Sequence, residues 1–203
     1  MKRLLIAFVV VLAGCASPQV VYYTLTPATS LDPVAVDRAP EVTPYTLTRV
    51  TVPPQSDDLS IVVRDIGDKL LVLTYDRWTV SLSSEVTQAV AIALTDELGV
   101  PPQQAWTSAS SNASNEVQID VQRFELLPGD AAYIAASWRI KFKQVGNKAV
   151  KPAQLTCYAV FKQSAAPGVL PLVQAQQKNI QLLSQMVAQT LRSGQPIKGA
   201  RCS

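Results

Sequence analysis

Alternation between apolar and polar side chains is clearest in the second half of the chain, where it predicts three strands with one buried face each. The strands cover Glu116–Gln122, Ser137–Lys143 and Leu155–Phe161. Pro128-Gly129-Asp130 and Gly146-Asn147 are typical turn sequences and separate them. The outward side chains are acidic on the first strand and basic on the second. We therefore expect an antiparallel meander in which neighbouring strands pair opposite charges.

Apolar runs before residue 80 predict four more strands, because they are rich in β-branched and aromatic side chains. These strands cover residues 20–25, 45–52, 61–64 and 69–74. Asp65-Ile66-Gly67-Asp68 separates the last two, and a connection this short favours a hairpin. Residues 27–44 and 103–115 are rich in proline or in small polar side chains, and we expect loops there.

Two segments repeat apolar side chains at steps of three and four, which predicts amphipathic helices. Residues 76–78 lead into the first predicted helix, whose apolar stripe runs from Leu82 to Leu98. Ser81, Ser83 or Ser84 can cap its start, and Gly99 ends it. The second opens at Val169-Leu170-Pro171 and ends before Gly194. Two helices and about seven strands predict an α/β domain in which each helix buries one face on a sheet.

The first fifteen residues follow a different pattern. Lys2 and Arg3 precede the apolar run Leu4–Ala13, which as a helix spans only about 15 Å. A bilayer core of about 30 Å needs about 20 residues, so the run is typical of a signal peptide. Its end, Leu12-Ala13-Gly14-Cys15, resembles the bacterial lipoprotein pattern. That resemblance implies cleavage before Cys15 and acylation of this cysteine.

We therefore expect residues 1–14 to be a signal peptide and residues 15–203 to form one lipid-anchored domain. By resemblance to sorted bacterial lipoproteins, Ala16 implies the outer membrane, because an aspartate is missing at that position. The domain would then face the periplasm. The alternative is an ordinary secretory signal in which Cys15 occurs by chance.

The other two cysteines, Cys157 and Cys202, are the only thiols left once Cys15 carries lipid. Since the periplasm is oxidising, we predict a disulfide between them. The alternative is that Cys157 is a small buried core residue and Cys202 a free thiol.

Composition narrows the function classes. The 203 residues include 18 basic and 15 acidic side chains, and a net charge of +3 argues against nucleic-acid binding. Histidine is absent, which excludes imidazole bases, Ser-His-Asp triads and almost every zinc site. We therefore predict no metal, no cofactor and no enzymatic activity.

Four acidic residues near the predicted hairpin could be interpreted as a cation site. They are Asp57, Asp58, Asp65 and Asp68. Calcium loops need oxygen ligands at fixed alternating positions with a turn glycine, and this spacing does not match. A solvated acidic edge is the favoured interpretation.

Arg77-Trp78 is a candidate contact with a partner protein or a lipid. The alternative, which we favour, is a buried tryptophan whose neighbouring arginine pairs with a helix end. Charge is also unevenly divided: residues 15–100 carry 5 basic and 11 acidic side chains, whereas residues 101–203 carry 11 and 4. Cross-strand pairing within one sheet would explain this division. A bipolar surface for contacts between subunits is the other hypothesis.

Taken in order, the predicted elements resemble those of the ABC-type transport auxiliary lipoproteins of intermembrane lipid transport systems. The resemblance covers nearly the whole chain after Cys15, although each motif is short. This sequence differs from the family after Pro53, where Pro54-Gln55-Ser56-Asp57-Asp58 replaces a Tyr-Leu stretch that is common in the family. The matching motifs are Tyr22-Tyr23-Thr24-Leu25, Val50-Thr51-Val52-Pro53, Arg77-Trp78 with Leu82, Val117–Phe124 with Gly129, and Ala136-Ser137-Trp138.

The resemblance implies an anticodon-binding-like α/β/α sandwich with a mixed sheet, similar to the N-terminal domain of the Tol-system propeller protein. It also implies an auxiliary subunit for phospholipid transport that preserves membrane integrity. Its partners would be a mammalian-cell-entry-type substrate-binding protein and an inner-membrane transporter, and ring-like homo-oligomers are a further expectation. The alternative function is a structural envelope scaffold or pilot lipoprotein that assembles other outer-membrane proteins.

Overall fold

The computed structural model describes residues 18–28, 44–103, 114–143 and 153–203. The predicted signal peptide, Cys15, most of the two predicted loops and the predicted turn at Gly146-Asn147 lie outside these residues. The described elements, in chain order, are β1 (Val21–Tyr23), β2 (Tyr45–Thr51), a 3-10 turn (Pro54–Ser56), β3 (Ser60–Arg64), β4 (Leu70–Trp78), α1 (Leu82–Leu98), β5 (Asn115–Leu127), β6 (Ala131–Lys141), β7 (Gln154–Ser164), α2 (Val169–Ser193) and β8 (Arg201–Cys202).

Five strands form the larger sheet, in the order β2-β5-β6-β7-β8. β2 runs parallel to β5, and every other neighbouring pair is antiparallel, so the predicted meander of β5, β6 and β7 is confirmed. The register of β5 shifts between Val121 and Arg123. Val117 faces the core before this irregularity and Phe124 after it, because one extra residue reverses which positions face inward.

Three strands form a second sheet, in the order β1-β4-β3. The predicted hairpin is present as β3 and β4, and β1 pairs with β4 in parallel. β4 continues through residues 76–78, beyond the predicted strand end at residue 74, and the chain then reaches α1 at Leu82. The register between β3 and β4 is irregular, because Ser60 lies opposite Arg77 whereas Val62 lies opposite Val72. This irregularity interrupts the alternation that would have marked β4 as one long strand.

The two helices pack against each other, and α2 also packs on β6 and β7. Buried amides fix α2 to the sheet: Gln176 Nε2 donates to the carbonyls of Glu125 and Tyr133, and Asn179 Nδ2 donates to that of Ala132. These polar residues lie within the apolar stripe of α2, and the backbone oxygens of the sheet accept hydrogen bonds from their buried amide groups.

Both helices end at a glycine in the left-handed region, Gly99 with φ 71° and Gly194 with φ 65°, as their sequences predict. The start of α1 differs from the prediction. Ser81 occupies the cap position, but its side chain makes no cap hydrogen bond to the helix backbone. Instead, Asp57 Oδ1 accepts a 2.9 Å hydrogen bond from the backbone N–H of Ser83.

The predicted α/β fold with two main helices is confirmed, but it contains two mixed sheets where we expected one. The core lies between the helices and the sheets and includes Trp78, Trp138 and Leu94. The face of the five-stranded sheet that points away from α2 is called the open sheet face below. It carries exposed side chains such as Arg139 and Val160.

Candidate functional site

The residues that follow the predicted anchor are part of the folded domain. β1 pairs with the end of β4, and the Thr79 N–H donates to the Tyr23 carbonyl at 3.1 Å. Tyr23 Oη donates to Asp76 Oδ1 at 3.0 Å. Burial, together with this carboxylate, raises the pKa of the Tyr23 phenol, so the hydroxyl keeps its proton and remains a donor.

Glu85 holds the next two residues. Its side chain is buried in the first turn of α1, with only 1 % of the residue exposed. Oε2 accepts hydrogen bonds from the Leu25 N–H at 2.8 Å and from Thr24 Oγ1 at 2.9 Å. Oε1 accepts one from Thr79 Oγ1. The carboxylate therefore joins the segment after the anchor to α1 and to the end of β4.

The sequence analysis did not single out Glu85. Its position was nevertheless informative, because it lies three residues after Leu82 and directly before Val86, inside the apolar stripe of α1. A charged side chain at such a position needs buried hydrogen-bond donors.

A groove of about 490 Å³ runs between the helices beside this segment. Its apolar floor includes Leu25, Ala89 and Ile180, and charged residues such as Asp96 and Lys178 lie along it. A second concavity, of about 450 Å³, lies between β1 and the start of α2. Gln177 lines both and donates through Nε2 to the Thr24 carbonyl at 3.0 Å. We call the surface around these two cavities the anchor-proximal surface.

The open sheet face carries much of the basic charge of the second half of the chain. One register row crosses it as Arg49, Gln118, Arg139 and Thr156, and these residues line a shallow concavity of about 300 Å³. The next charged pair follows the predicted pattern, with Lys141 Nζ 3.3 Å from Glu116 Oε2.

Glu125 links the two sheets. Its carboxylate lies 2.8 Å from Arg123 Nη2 and 3.1 Å from Arg64 Nη2, the latter on β3. The Arg123 hydrogen bond is the larger cause that lowers the pKa of Glu125, and Arg64 adds to it. The Arg64–Glu125 pair joins a basic residue of the first half of the chain to an acidic residue of the second half, so it does not explain the charge division noted in the sequence.

Cys157 and Cys202 form a disulfide with an S–S distance of 2.11 Å, the pair that the sequence predicts. They are also register partners on β7 and β8. Arg201, beside Cys202, lies over the ring of Tyr158 at 5.4 Å from its centroid. The C-terminal residues are thus attached to the edge of the five-stranded sheet.

Arg77 and Trp78 differ in accessibility. Trp78 is 1 % exposed and packs edge-on against Phe124, with ring centroids 6.2 Å apart. It belongs to the core, and the hypothesis of a lipid or partner contact is wrong for this side chain. Arg77 is half-buried and lies between Tyr22 and Ser60 in the sheet register. Within the described part of the chain, its buried Nε has no hydrogen-bond partner.

The acidic residues near the hairpin mostly bind backbone N–H groups. Asp57 caps α1, Asp58 accepts from Ser60, and Asp65 Oδ1 accepts from both Gly67 and Lys69. The Ser60 bond lowers the pKa of Asp58. The interpretation as a merely solvated edge is therefore too simple. Among the described residues, no three acidic or cysteine side chains gather in a way that could hold a metal.

Cys15 lies outside the described residues, so its acylation stays a prediction. In the part of the chain that the structure covers, neither α1 nor α2 combines the length and hydropathy that a membrane-crossing helix needs.

Comparisons with known proteins agree with this geometry. The family model described as ABC-type transport auxiliary lipoprotein component matches residues 23–188, from β1 to α2. No curated protein matches the sequence. A crystal structure of an uncharacterised protein is similar with TM-score 0.63 and 13 % identity, covering 85 % of this chain and 98 % of the other. Protein XCC0632 from Xanthomonas campestris, of family DUF330, gives TM-score 0.58 and 17 % identity over 87 % and 94 %. At these identities the two structures show a shared fold.

Proposed function

This chain belongs to the ABC-type transport auxiliary lipoprotein component family, and we propose that it is the outer-membrane-anchored auxiliary subunit of a phospholipid transport system. Its partners in this proposal are a mammalian-cell-entry-type substrate-binding protein and the transporter in the inner membrane. The subunit works from the periplasmic side by binding, without catalysis and without a cofactor.

One observation carries the proposal: the family match spans residues 23–188 and so includes β2 to β7, the whole of α1 and most of α2. The sequence before it supports membrane attachment, because the apolar run ends in Leu12-Ala13-Gly14-Cys15. The contacts of Glu85 with Thr24 and Leu25 support it further. They make the segment after the lipid anchor an integral part of the domain that partners would meet.

Two exposed surfaces suit a subunit that acts by binding. The groove between α1 and α2 is an apolar channel with charged margins, and the open sheet face presents Arg49 and Arg139 in one row. The basic character of this face and the acidic residues near α1 also suit head-to-tail contacts between copies of the chain. Ring-like homo-oligomers are part of the proposal on that ground.

The partnership can be tested in cells that carry both membranes. We would express the full chain from its own signal sequence with an affinity tag, cross-link intact cells, and probe the purified product for the mammalian-cell-entry-type protein. We expect wild type to retain that protein and Cys15→Ala to lose at least tenfold of it, because the variant leaves the outer membrane. An unrelated outer-membrane lipoprotein with the same tag is the control.

Retention of an outer-membrane assembly factor without the mammalian-cell-entry-type protein would contradict the proposal and favour the envelope scaffold. Equal retention by Cys15→Ala would contradict the lipid anchor. Sedimentation of the same preparation at low and high salt tests the rings, since contacts between exposed charges weaken beyond a Debye length of about 8 Å at physiological salt. A monomer under all conditions would exclude them.

A further inference from the structure

Exposed apolar side chains gather where the chain enters the domain. Val21, Tyr22 and Leu170 are 45 %, 61 % and 54 % exposed, and Val20 beside them is 36 % exposed. Val20 to Tyr22 belong to the entry of β1, whereas Leu170 lies in the first turn of α2. Tyr22 and Leu170, which are 148 positions apart in the chain, therefore contribute to one apolar patch.

The patch surrounds the 450 Å³ concavity between β1 and α2. Tyr22, Pro27, Leu170 and Val173 are among its lining residues, and none of the described residues that line it is charged. The neighbouring groove between the helices differs in this respect, because Asp96, Glu97 and Lys178 line it. Tyrosine at the edge of an apolar surface suits a membrane interface, where one end of the ring is apolar and the other meets water.

The length of the tether brings this patch close to the membrane. Val21 is the sixth residue after Cys15, and an extended chain of six residues reaches at most about 20 Å. A domain of this size has a radius of gyration of about 16 Å, so the tether is shorter than the domain is wide. Because β1 is fixed to β4 and to α1, the side of the domain that carries β1 stays near the acylated cysteine.

We propose that Val20, Tyr22 and Leu170 form a membrane-contact surface that lies on the bilayer leaflet holding the lipid anchor. Arg77 adds a cation at its edge, since it is the register partner of Tyr22 and so points to the same face of the sheet. A guanidinium there can bind the phosphate of a lipid headgroup. This inference rests on the acylation of Cys15 in the proposed function and adds a fixed orientation of the domain.

Fluorescence quenching by brominated phospholipid tests the orientation. The mature, acylated protein would be reconstituted into vesicles of phosphatidylethanolamine and phosphatidylglycerol, with and without brominated chains, as the variants Leu170→Trp and Tyr22→Trp. Val160→Trp is the matched control, because Val160 is 53 % exposed but lies on the open sheet face. The chain has three native tryptophans, Trp78, Trp106 and Trp138, and the wild-type signal would be subtracted. Trp78 and Trp138 are each 1 % exposed.

We expect the fluorescence of Leu170→Trp and Tyr22→Trp to fall by about half in brominated vesicles, and that of Val160→Trp to change by less than a tenth. Equal quenching at all three positions would overturn the proposal, as would quenching of Val160→Trp alone or no quenching at any position. Quenching of Tyr22→Trp without Leu170→Trp would restrict contact to the tether and overturn the surface. Mass spectrometry of the acyl chains, done first, separates these results from a failure of the anchor itself.

Discussion

At the scale of single residues, Glu85 shows how one buried carboxylate can join three parts of a chain. Thr24 and Leu25 lie 61 and 60 residues away from it in sequence, and Thr79 ends the strand region before α1. A carboxylate is suited to this position because it accepts several hydrogen bonds and donates none. Its place in the first turn of α1 is also favourable, since the N-terminal end of a helix dipole attracts negative charge.

We predict that Glu85→Ala lowers the free energy of unfolding by about 2–4 kcal/mol, because it leaves the Leu25 N–H buried without an acceptor and opens a cavity. Glu85→Gln keeps the volume and one carbonyl oxygen, so its loss should be smaller, about 1 kcal/mol. Urea unfolding would measure both values. Hydrogen exchange should also become faster at Tyr23 and Leu25.

Asp96→Asn is the control for this prediction, since Asp96 lies on the same helix but is exposed. It should change the free energy of unfolding by less than about 0.5 kcal/mol. If Glu85→Ala unfolds at the wild-type urea concentration, the carboxylate does not hold the entering segment.

At the scale of elements, the start of α1 depends on a residue 26 positions earlier in the chain. Asp57 Oδ1 accepts from the Ser83 N–H, whereas the hydroxyl of Ser81 bonds to the side chains of Ser83 and Ser84. Serines before an apolar stripe predict a local cap, and the local sequence contains no trace of the distant one. The 3-10 turn Pro54–Ser56 brings Asp57 to this place.

We predict that Asp57→Ala destabilises the protein by about 1 kcal/mol, the usual value for loss of a helix cap. Ser81→Ala should cost less, because its side chain makes no bond to the helix backbone. Asp57→Asn keeps an acceptor oxygen and should retain most of the stability. Thermal unfolding of the three variants gives the order. A larger loss for Ser81→Ala than for Asp57→Ala would show that the serine is the true cap.

The local pattern of apolar and polar residues was sufficient to predict most helices and strands. It was insufficient where contacts with residues distant in the sequence determine the structure. β5, β6 and β7 could be predicted because Val117, Ile119 and Val121 alternate with polar residues over a buried face. The full length of β4 could not, since its irregular pairing places Leu73 and Trp78, five residues apart, toward the same core. The division into two sheets depends on which strands pair, and no alternation within a strand contains that information.

The candidate site was predictable to a similar extent. Cys157 and Cys202 could be paired by counting the thiols that remain after lipidation. The role of Glu85 could not be assigned, because its donors Thr24 and Leu25 are brought to it only by the parallel pairing of β1 with β4. Leu170 joins Tyr22 at one surface for the same reason: their proximity is a property of the folded chain.

At the scale of the whole molecule, both ends of the domain are tied to its body. The disulfide closes a loop whose cysteines are 45 residues apart, and α2 lies inside this loop. Chain-entropy reasoning gives about 4 kcal/mol of stabilisation for such a loop. The C-terminal residues would otherwise be free to fray, as chain ends commonly do.

We predict that reduction with dithiothreitol lowers the free energy of unfolding of the exported wild-type protein by about 3–4 kcal/mol. Cys202→Ser should show about the same loss without reductant and no further loss with it. Chemical unfolding with and without dithiothreitol measures this. Two thiols titrated in the denatured, unreduced protein would contradict the disulfide, provided that the protein was exported with its own signal.

Although β1 has only three residues, its position determines how the domain responds to a pulling force. In the proposed anchored form, any pull between the acyl chains and the body of the protein enters the fold at Val21. Under load we expect the pairing of β1 with β4 to break first, because the bonds of Glu85 to Thr24 and Leu25 come after it along the chain. Release of β1 alone moves the point where the tether joins the folded domain from Val21 to Thr24, and it lengthens the tether by about 10 Å. The protein can therefore yield to tension in a short, recoverable step while the core around Trp138 stays folded.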